Sequence, residues 1–369
     1  MQGRRKISGS GLKKSEDLKR EQMANAEKPF IIPVFLPHIG CLHRCVFCNQ
    51  MTITGVKEKI PSPEQLRRRI KTYLTYRGSR RTKTQVSFYG GNFLGLKSPD
   101  IRFLLDVASE FIVEGSVDSL RFSTRPDSVN DQRLDIIKEF PVETIEIGAQ
   151  SMDDRVLVLA NRGHTVSDTE KAVGLLKKRS YEIGLQMMVG LPGDDDDNCL
   201  RTGRRITDLL PDFVRIYPTV VLPGSRLWRL YRNGTYSPLP MERCVTLVKN
   251  LYLLFSERQI PVIRMGLQAS DDLEKEAENL AGPYHPAFGH LVFSEIFLDK
   301  AAFLLASKPP PFQTVTIRVH PRNVSRMRGM NNQNIETLKR KFQIKSLVIF
   351  ADASLGEDAV TVSEFRPSA

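Results

Sequence analysis

Three of the five cysteines fall within eight positions, as Cys41, Cys45 and Cys48 of the stretch HIGCLHRCVFCNQ. The other two, Cys199 and Cys244, stand alone far downstream, inside helical patterns where a thiol reads as a buried packer. Five cysteines without regular pairing in a chain of 369 residues do not form a disulfide framework. Thiolates spaced C-x3-C-x2-C in one loop suit an iron–sulfur cluster, whose cube has four corners to hold. Three thiolates leave one iron open, and an open metal position is where a substrate or cofactor docks. Zinc held by the three cysteines with His38 or His43 is the competing reading. Such zinc sites join two separate ligand knuckles, which one compact loop does not supply. The expected site is a cluster one protein ligand short.

A loop of this kind needs a scaffold to hold it. IIPVFLP (31–37) reads as a strand that runs straight into the cysteines. QVSFYGG (85–91), SLRFS (119–123), TIEIG (144–148), EIGLQMMVG (182–190) and DFVRIYP (212–218) read as five more strands. Between them lie helical periods. Leu66, Ile70, Tyr73 and Leu74 share one face. SPDIRFLLDVASEFIV (98–113) offers Ser98 as N-cap, Pro99 at the first helical position and a stripe of Ile101, Leu104, Leu105, Ala108 and Ile112. Further helices are expected near 130–139, 153–160, 168–179 and 195–210.

Six strand–helix units predict an α/β fold with a parallel sheet and helices outside it. Either a doubly wound sheet or a β/α barrel satisfies that order, and the strand ends favour the barrel. YGGN, STRPD, GAQS and GLPGD each follow a strand, and in a barrel all such loops converge on one face. Past about residue 240 the pattern changes to two helices, MERCVTLVKNLYLLFSERQI and HPAFGHLVFSEIFLDKAAFLLA. A strand at QTVTIRVHP (313–321), a helix near 332–341 and a strand at SLVIFAD (346–352) make a small α+β appendix. The expected division is a basic tail at 1–28, a core at 29–268 and a C-terminal region at 269–369.

Composition bounds the class. Apolar content of 41% with 26% charged residues fits a globular protein, and no apolar run approaches a membrane span. The N-terminal stretch has no apolar segment of the secretory kind, and it reads as a solvated tail in a cytoplasmic protein. Net charge is +12, concentrated in the tail, in LRRRIKTYLTYRGSRRTK (66–83) and in HPRNVSRMRGMNNQNIETLKRKFQIK (320–345). Such basic blocks suit either nucleic-acid phosphates or plain solubility.

At Cys41, Cys45, Phe47 and Cys48 the sequence resembles the radical S-adenosylmethionine (SAM) superfamily, which carries C-x3-C-x-aromatic-C after its first barrel strand. The resemblance implies a partial (β/α)6-type barrel, a 4Fe–4S cluster on the three cysteines and a reducing electron donor. SAM then chelates the fourth iron through its methionyl amine and carboxylate, and its cleavage yields a 5′-deoxyadenosyl radical. In that frame Gly90 and Gly91 meet the amino group of SAM, and Arg125, after Ser123 and Thr124, pairs with a carboxylate. Gln150 and Ser151 hydrogen-bond ribose or methionine groups, and Gly190 and Pro192, with Gly193, press on adenine. Plain turn structure is an alternative for these strand ends. His164 in NRGHT is open between a proton donor or phosphate ligand and a locally satisfied loop residue. Tyr89 and Tyr217 are open between cavity lining and packing, and DDDDN (194–198) between a metal site and a solvated helix N-terminus.

STRPD, IEIGAQSM, NRGHTV, LQMMVGLPGD and PDFVRIYPTVVLPGSRLWRLYRNGTY, spread over roughly 30–270, resemble the radical SAM core of the Elongator catalytic subunit family. Its eukaryotic members modify the wobble uridine of tRNA at C5 with SAM and acetyl-CoA. Here the cysteine loop is compact, and the hundred or so residues after VIRMGLQ (262–268) hold no Gly-rich loop for a CoA pyrophosphate. The chain therefore reads as a short bacterial-type relative without the acetyltransferase domain. The expected activity is radical SAM modification of an RNA (tRNA) nucleobase. The alternatives are a small-molecule or tetrapyrrole substrate, and a non-enzymatic iron–sulfur protein.

Overall fold

The computed structural model describes residues 29–49, 59–79, 82–268, 273–274, 277–307 and 312–365. The expected tail at 1–28 lies outside them. Seven strands form one parallel sheet in chain order: β1 Phe30–Phe35, β2 Thr84–Tyr89, β3 Ser119–Thr124, β4 Val142–Gln150, β5 Glu182–Val189, β6 Phe213–Pro218 and β7 Val262–Met265. β1 and β7 are the two edges and do not pair, so the barrel is partial. Six strands were expected. The seventh, VIRM, has four residues with a central exposed Ile263 and charged Arg264, too short and mixed to carry a strand period.

Helices α1 Pro63–Arg77, α2 Ser98–Val113, α3 Asp131–Ile137, α4 Asp154–Leu159, α5 Val166–Lys178, α6 Asp196–Asp208, α7 Arg226–Arg232 and α8 Met241–Glu257 alternate with the strands. Polar residues start them by taking up orphan backbone N–H groups. Ser62 and Thr165 build capping boxes with Gln65 and Asp168, and Asn130, Asp153, Asp195 and Ser225 cap α3, α4, α6 and α7. α2 begins one residue earlier than expected. Ser98 is its first helical residue and Lys97 its cap, because Pro99 fits the first turn without needing an N–H donor.

The sheet has two unlike faces. Val86, Phe88, Leu120, Phe122, Ile145, Ile147, Leu185 and Val214 are buried in the main core with the helices. The alternate positions, among them Gln85, Ser119, Arg121, Thr144, Glu146, Gln186 and Arg215, hydrogen-bond to one another across the strands and make a polar lumen.

A second sheet, ordered β10–β8–β9, joins β8 Phe312–Val319 in parallel to β9 Ile344–Ala351 and antiparallel to β10 Val360–Phe365. Helices α10 Val324–Arg328 and α11 Gln333–Phe342 lie between β8 and β9. The long helix α9 Phe288–Ala306 serves both units. Phe288, Val292 and Ile296 join the main core, whereas Phe297, Ala301 and Leu305 join the core of the small sheet.

Candidate active site

The cysteine loop leaves the C-terminal end of β1, where Leu36 N still donates to Tyr89 O at 2.7 Å. Left-handed residues then turn it sharply, with His38 at φ +57° and Gly40 at φ +76°. A Cβ on Gly40 would stand 2.2 Å from Asn92 O, so the loop can approach the end of β2 only with glycine there. The expected Gly90–Gly91 pair meets the same loop. A Cβ on Gly91 would lie 2.3 Å from Ile39 O and 2.5 Å from Leu36 O. Gly91 thus seats the cysteine loop against β2, a role the turn reading alone does not give.

Asn92, the next residue, ends the YGGN run, had no role assigned to it, and makes four side-chain hydrogen bonds here. Its Nδ2 donates to Gly40 O (3.0 Å) and Ser128 Oγ (2.7 Å). Its Oδ1 accepts from Thr124 Oγ1 (2.8 Å) and Arg125 N (3.0 Å). One buried amide therefore fixes the cysteine loop to the end of β3. From the far side of the sheet, Val46 N donates to Ala160 O (3.0 Å), Leu227 N to Val46 O (2.7 Å) and Asn49 Nδ2 to Pro223 O (2.6 Å).

Charge around the thiols is positive. Burial, reinforced by the neighbouring charge of Cys45, pushes the Cys41 thiol up to about 11, and the guanidiniums of Arg125 and Arg162 offset this only in part. Arg162 Nη1 donates to Cys45 Sγ at 3.1 Å, and Cys48 Sγ lies 3.9 Å from His38 Nδ1. A protonated Cys41 must release its proton to become a metal ligand, so loading the site is coupled to proton release. Four buried polar atoms in this region have no hydrogen-bond partner among the described residues: Arg125 Nη1, Arg162 Nε, Gln150 Oε1 and His164 Nδ1. Orphaned buried donors and acceptors are costly and mark a place prepared for a ligand. Among the described residues no three His, Cys, Asp or Glu side chains are gathered as ligands of a single ion. The thiols and the unpartnered polar atoms fit a cluster with a polar cofactor beside it.

The expected contact residues divide. Arg125 is buried, but its fork already holds Asp127, Nε to Oδ1 at 2.9 Å and Nη2 to Oδ2 at 3.0 Å, leaving Nη1 alone for another acceptor. Gln150 sits at φ +67° on a β4 bulge, and its amide folds over Gly148 next to Arg162. Ser123 Oγ faces the lumen, 3.5 Å from Gln186 Nε2. Ser151 does not join them. It is buried against α6, with Oγ 3.4 Å from Thr202 Oγ1 and accepting from Asp153 N, because the bulge at Gln150 changes which side the next residue faces. Phe47 packs with Val46, Met188, Leu191 and Tyr217, bringing the cysteine loop against the end of β5. There Gly190, at φ +78°, accepts at its carbonyl from Tyr236 Oη (2.7 Å), beside half-buried Pro192 and exposed Gly193.

His164 is settled by its surroundings. Burial first, then Arg162 and Arg125, drive it down to about 3. The neutral ring lies with Nε2 3.3 Å from Ala149 O, which assigns the proton to Nε2. Near neutral pH the ring is uncharged, with Nδ1 an unpartnered acceptor among the described residues. DDDDN is a helix start, with Asp195 Oδ1 accepting from Asn198 N at 2.7 Å. Cys199 and Cys244 are buried, and Cys199 donates to Asp194 Oδ2.

Below the cysteines the lumen holds a buried ion network. Glu146 is completely buried, with Arg121 and Arg215 each at 2.7 Å, Gln186 Nε2 at 2.9 Å and Tyr89 Oη at 3.2 Å. Burial alone would raise the Glu146 carboxyl, but Arg215 and Arg121 outweigh it and hold the group below the usual carboxylate range. Tyr217 Oη lies 3.4 Å from Arg215 Nη1. Both tyrosines therefore line the polar lumen.

Comparison with known proteins follows these features. The sequence matches the Radical SAM superfamily over residues 36–206 and the Radical_SAM C-terminal domain over 211–297. It is 31% identical over 235 residues to an uncharacterized protein of Methanocaldococcus jannaschii, covering 60% of this chain and 70% of that one. It is 25% identical over 297 residues to a tRNA uridine(34) acetyltransferase of Dehalococcoides mccartyi, covering 69% of this chain and 64% of that one. The fold superposes on the archaeal Elp3 of Methanocaldococcus infernus with a TM-score of 0.57 at 21% identity, over 72% of this chain and 62% of that one. The chain thus spans somewhat under two thirds of the length of the last two. Its three strand-end thiols, partial parallel barrel and matched sequence place one conclusion beyond the fold alone: the chain belongs to the radical SAM superfamily and is an enzyme of that kind.

Proposed function

We propose that this radical SAM enzyme holds a 4Fe–4S cluster on Cys41, Cys45 and Cys48, binds SAM at the remaining iron, and modifies a nucleobase of tRNA in the cytoplasm. When bound, the cluster and SAM would supply radical hydrogen-abstraction chemistry at the substrate, the electron coming from an external reductant. The chain's own part is positioning. Asn92, Gly91 and the 160–163 segment fix the thiols at the mouth of the lumen. Arg125 Nη1 and Gln150 Oε1 remain to receive the polar groups of SAM, with the left-handed backbone of Gly90 and Gly190 beside them. The ring of Phe47 and the side chains packed with it shield one flank from water. Beneath, the Glu146 network is held in fixed charge states, so it can orient a polar substrate without exchanging protons at neutral pH.

The RNA part of the reading rests on one observation, the relationship to a tRNA uridine(34) acetyltransferase over 297 residues. The basic blocks agree with it, since phosphate neutralisation dominates binding to RNA. Ser151 is withdrawn from the SAM contacts, because its hydroxyl is engaged with α6. The test compares nucleosides of total tRNA, by mass spectrometry, from cells with and without the gene. One modified nucleoside should disappear and return on complementation with the wild-type chain but not with Cys45→Ala. An unchanged tRNA profile would overturn the RNA substrate and leave a small-molecule substrate for the same cluster chemistry.

A further inference from the structure

Between α4 and α5 the chain makes a short turn, Ala160 to Gly163, that lies on the cysteine loop contact by contact. Ala160 O accepts from Val46 N (3.0 Å), and Asn161 Nδ2 donates to Arg44 O (2.8 Å). Arg162 Nη1 donates to Cys45 Sγ (3.1 Å). A Cβ on Gly163 would stand 2.4 Å from the His43 ring, and its φ of +68° favours glycine. Asn161 and Gly163 are both left-handed, at φ +52° and +68°. This pair of reversals turns Arg162 inward between them.

Arg162 is an odd residue to find there. It is 6% exposed. Its Nη2 is anchored by Gly148 O at 2.6 Å on the β4 bulge, its Nη1 reaches the sulfur, and its Nε has no partner among the described residues. No carboxylate is paired with it among the described residues, although a buried guanidinium is strongly disfavoured without a counter-charge. The sulfur of Cys45 is the group positioned to supply that charge, once it is a thiolate ligand. The rigid planar fork presents separate N–H groups to the carbonyl and the sulfur at once, an arrangement that a single lysine ammonium does not pre-organise.

We propose that Arg162 is a positioning residue of the cluster: it donates an N–H···S hydrogen bond to the Cys45 ligand, fixes that corner of the loop, and raises the reduction potential of the bound centre. The inference rests on the functional reading that Cys41, Cys45 and Cys48 hold an iron–sulfur cluster. Hydrogen bonds to cluster sulfurs and nearby net charge are recognised determinants of the potential. A donor and a positive charge at the sulfur favour the more negative, reduced state, so removing them lowers the potential.

The test uses the full chain, reconstituted with iron and sulfide without oxygen, as wild type, Arg162→Gln and Arg162→Lys. Iron and sulfide per chain, the melting transition, and an EPR-monitored redox titration without SAM are measured on each. Arg162→Gln is expected to disfavour reduction at least tenfold, a shift of about 59 mV for one electron. Arg162→Lys, which keeps the charge but loses the fork, should fall between it and wild type. A variant that melts like wild type yet takes up no cluster also supports the proposal, since anchoring the corner is part of it. An Arg162→Gln protein that loads fully with the wild-type potential overturns it. If that variant does not fold, Arg162→Lys decides, and a wild-type potential there overturns it equally. A wild-type chain that binds no cluster would sink the functional reading itself, an outcome distinct from any result on Arg162.

Discussion

His164 shows how burial removes a side chain from the chemistry its type suggests. In the unfolded chain it titrates near 6.5, whereas in the fold it is held down to about 3. Between those values the unfolded chain binds a proton that the native chain does not. Stability from this group is therefore fully present above about pH 6.5 and is lost as pH falls toward about 3. At about 1.4 kcal/mol per unit, lowering the pH from 6.5 to 5 should remove about 2 kcal/mol. Glu146 and the other depressed carboxylates act in a lower window, because their stabilisation persists until pH falls below the unfolded carboxyl range. Urea midpoints of wild type and His164→Gln across pH 6.5 to 5 should diverge, the variant showing the shallower decline; parallel curves would refute the assignment. The same contrast marks what was legible at this scale. Three cysteines in one loop announce themselves by type and spacing. Asn92 and Arg162 are single polar residues that each reach a partner far away in the sequence, Thr124 for the first and Cys45 for the second. Both lie in runs that stood out, YGGN and NRGHT, but only folding reveals that both grip the cysteine loop.

At the scale of elements, strands announced themselves where apolar residues run or alternate, as in β1 through β6. β7 and β10 escaped because VIRM is short and VTVSEF has few apolar positions and little around it to mark a strand. The polar lumen escaped for a related reason: Arg121, Glu146 and Arg215 occupy one side of strands whose other side supplied the β signal. The strand-end glycines were expected to let backbone approach a ligand, and at Gly91 the group that approaches is the cysteine loop itself. Gly91→Ala should therefore do more than strain a turn. Its Cβ would press on two carbonyl oxygens of the backbone, which can give way only if the loop carrying Cys41 shifts. Overpacking of this kind costs about 1–3 kcal/mol. Gly115→Ala makes the comparison, since that glycine has φ +70° and open space around it. It should cost about 1 kcal/mol through backbone conformation alone. Measured by urea midpoint and by iron bound per chain after reconstitution, both variants should lose stability, but Gly91→Ala alone should lose iron. Equal iron in the two would show that the loop absorbs the methyl group without moving.

For the molecule as a whole, α9 decides how the barrel and the small sheet depend on each other. Its first half is built into the main core and its second half into the core of the small sheet. Two further ties strengthen the join. Lys249 of α8 reaches Glu295 (2.7 Å) and Asp299 (2.6 Å) on α9, and Asn334 of α11 donates to Ser294 O (2.9 Å). A helix shared in this way cannot unravel in one core without exposing apolar surface in the other, so the two units should unfold as one. Phe297→Ala tests the coupling from the far side. Phe297 is 1% exposed and belongs to the small-sheet core, and its truncation should cost about 3–5 kcal/mol. The only tryptophan, Trp228, lies in α7 on the barrel, next to Leu227, whose N–H holds Val46 of the cysteine loop. Its fluorescence therefore reports on the active-site end, away from the mutation. In a cooperative molecule the variant shifts the tryptophan transition and the far-ultraviolet circular dichroism transition in urea by the same amount. A tryptophan midpoint that stays at the wild-type value while the dichroism splits into two steps would mean that α9 hinges between independent units.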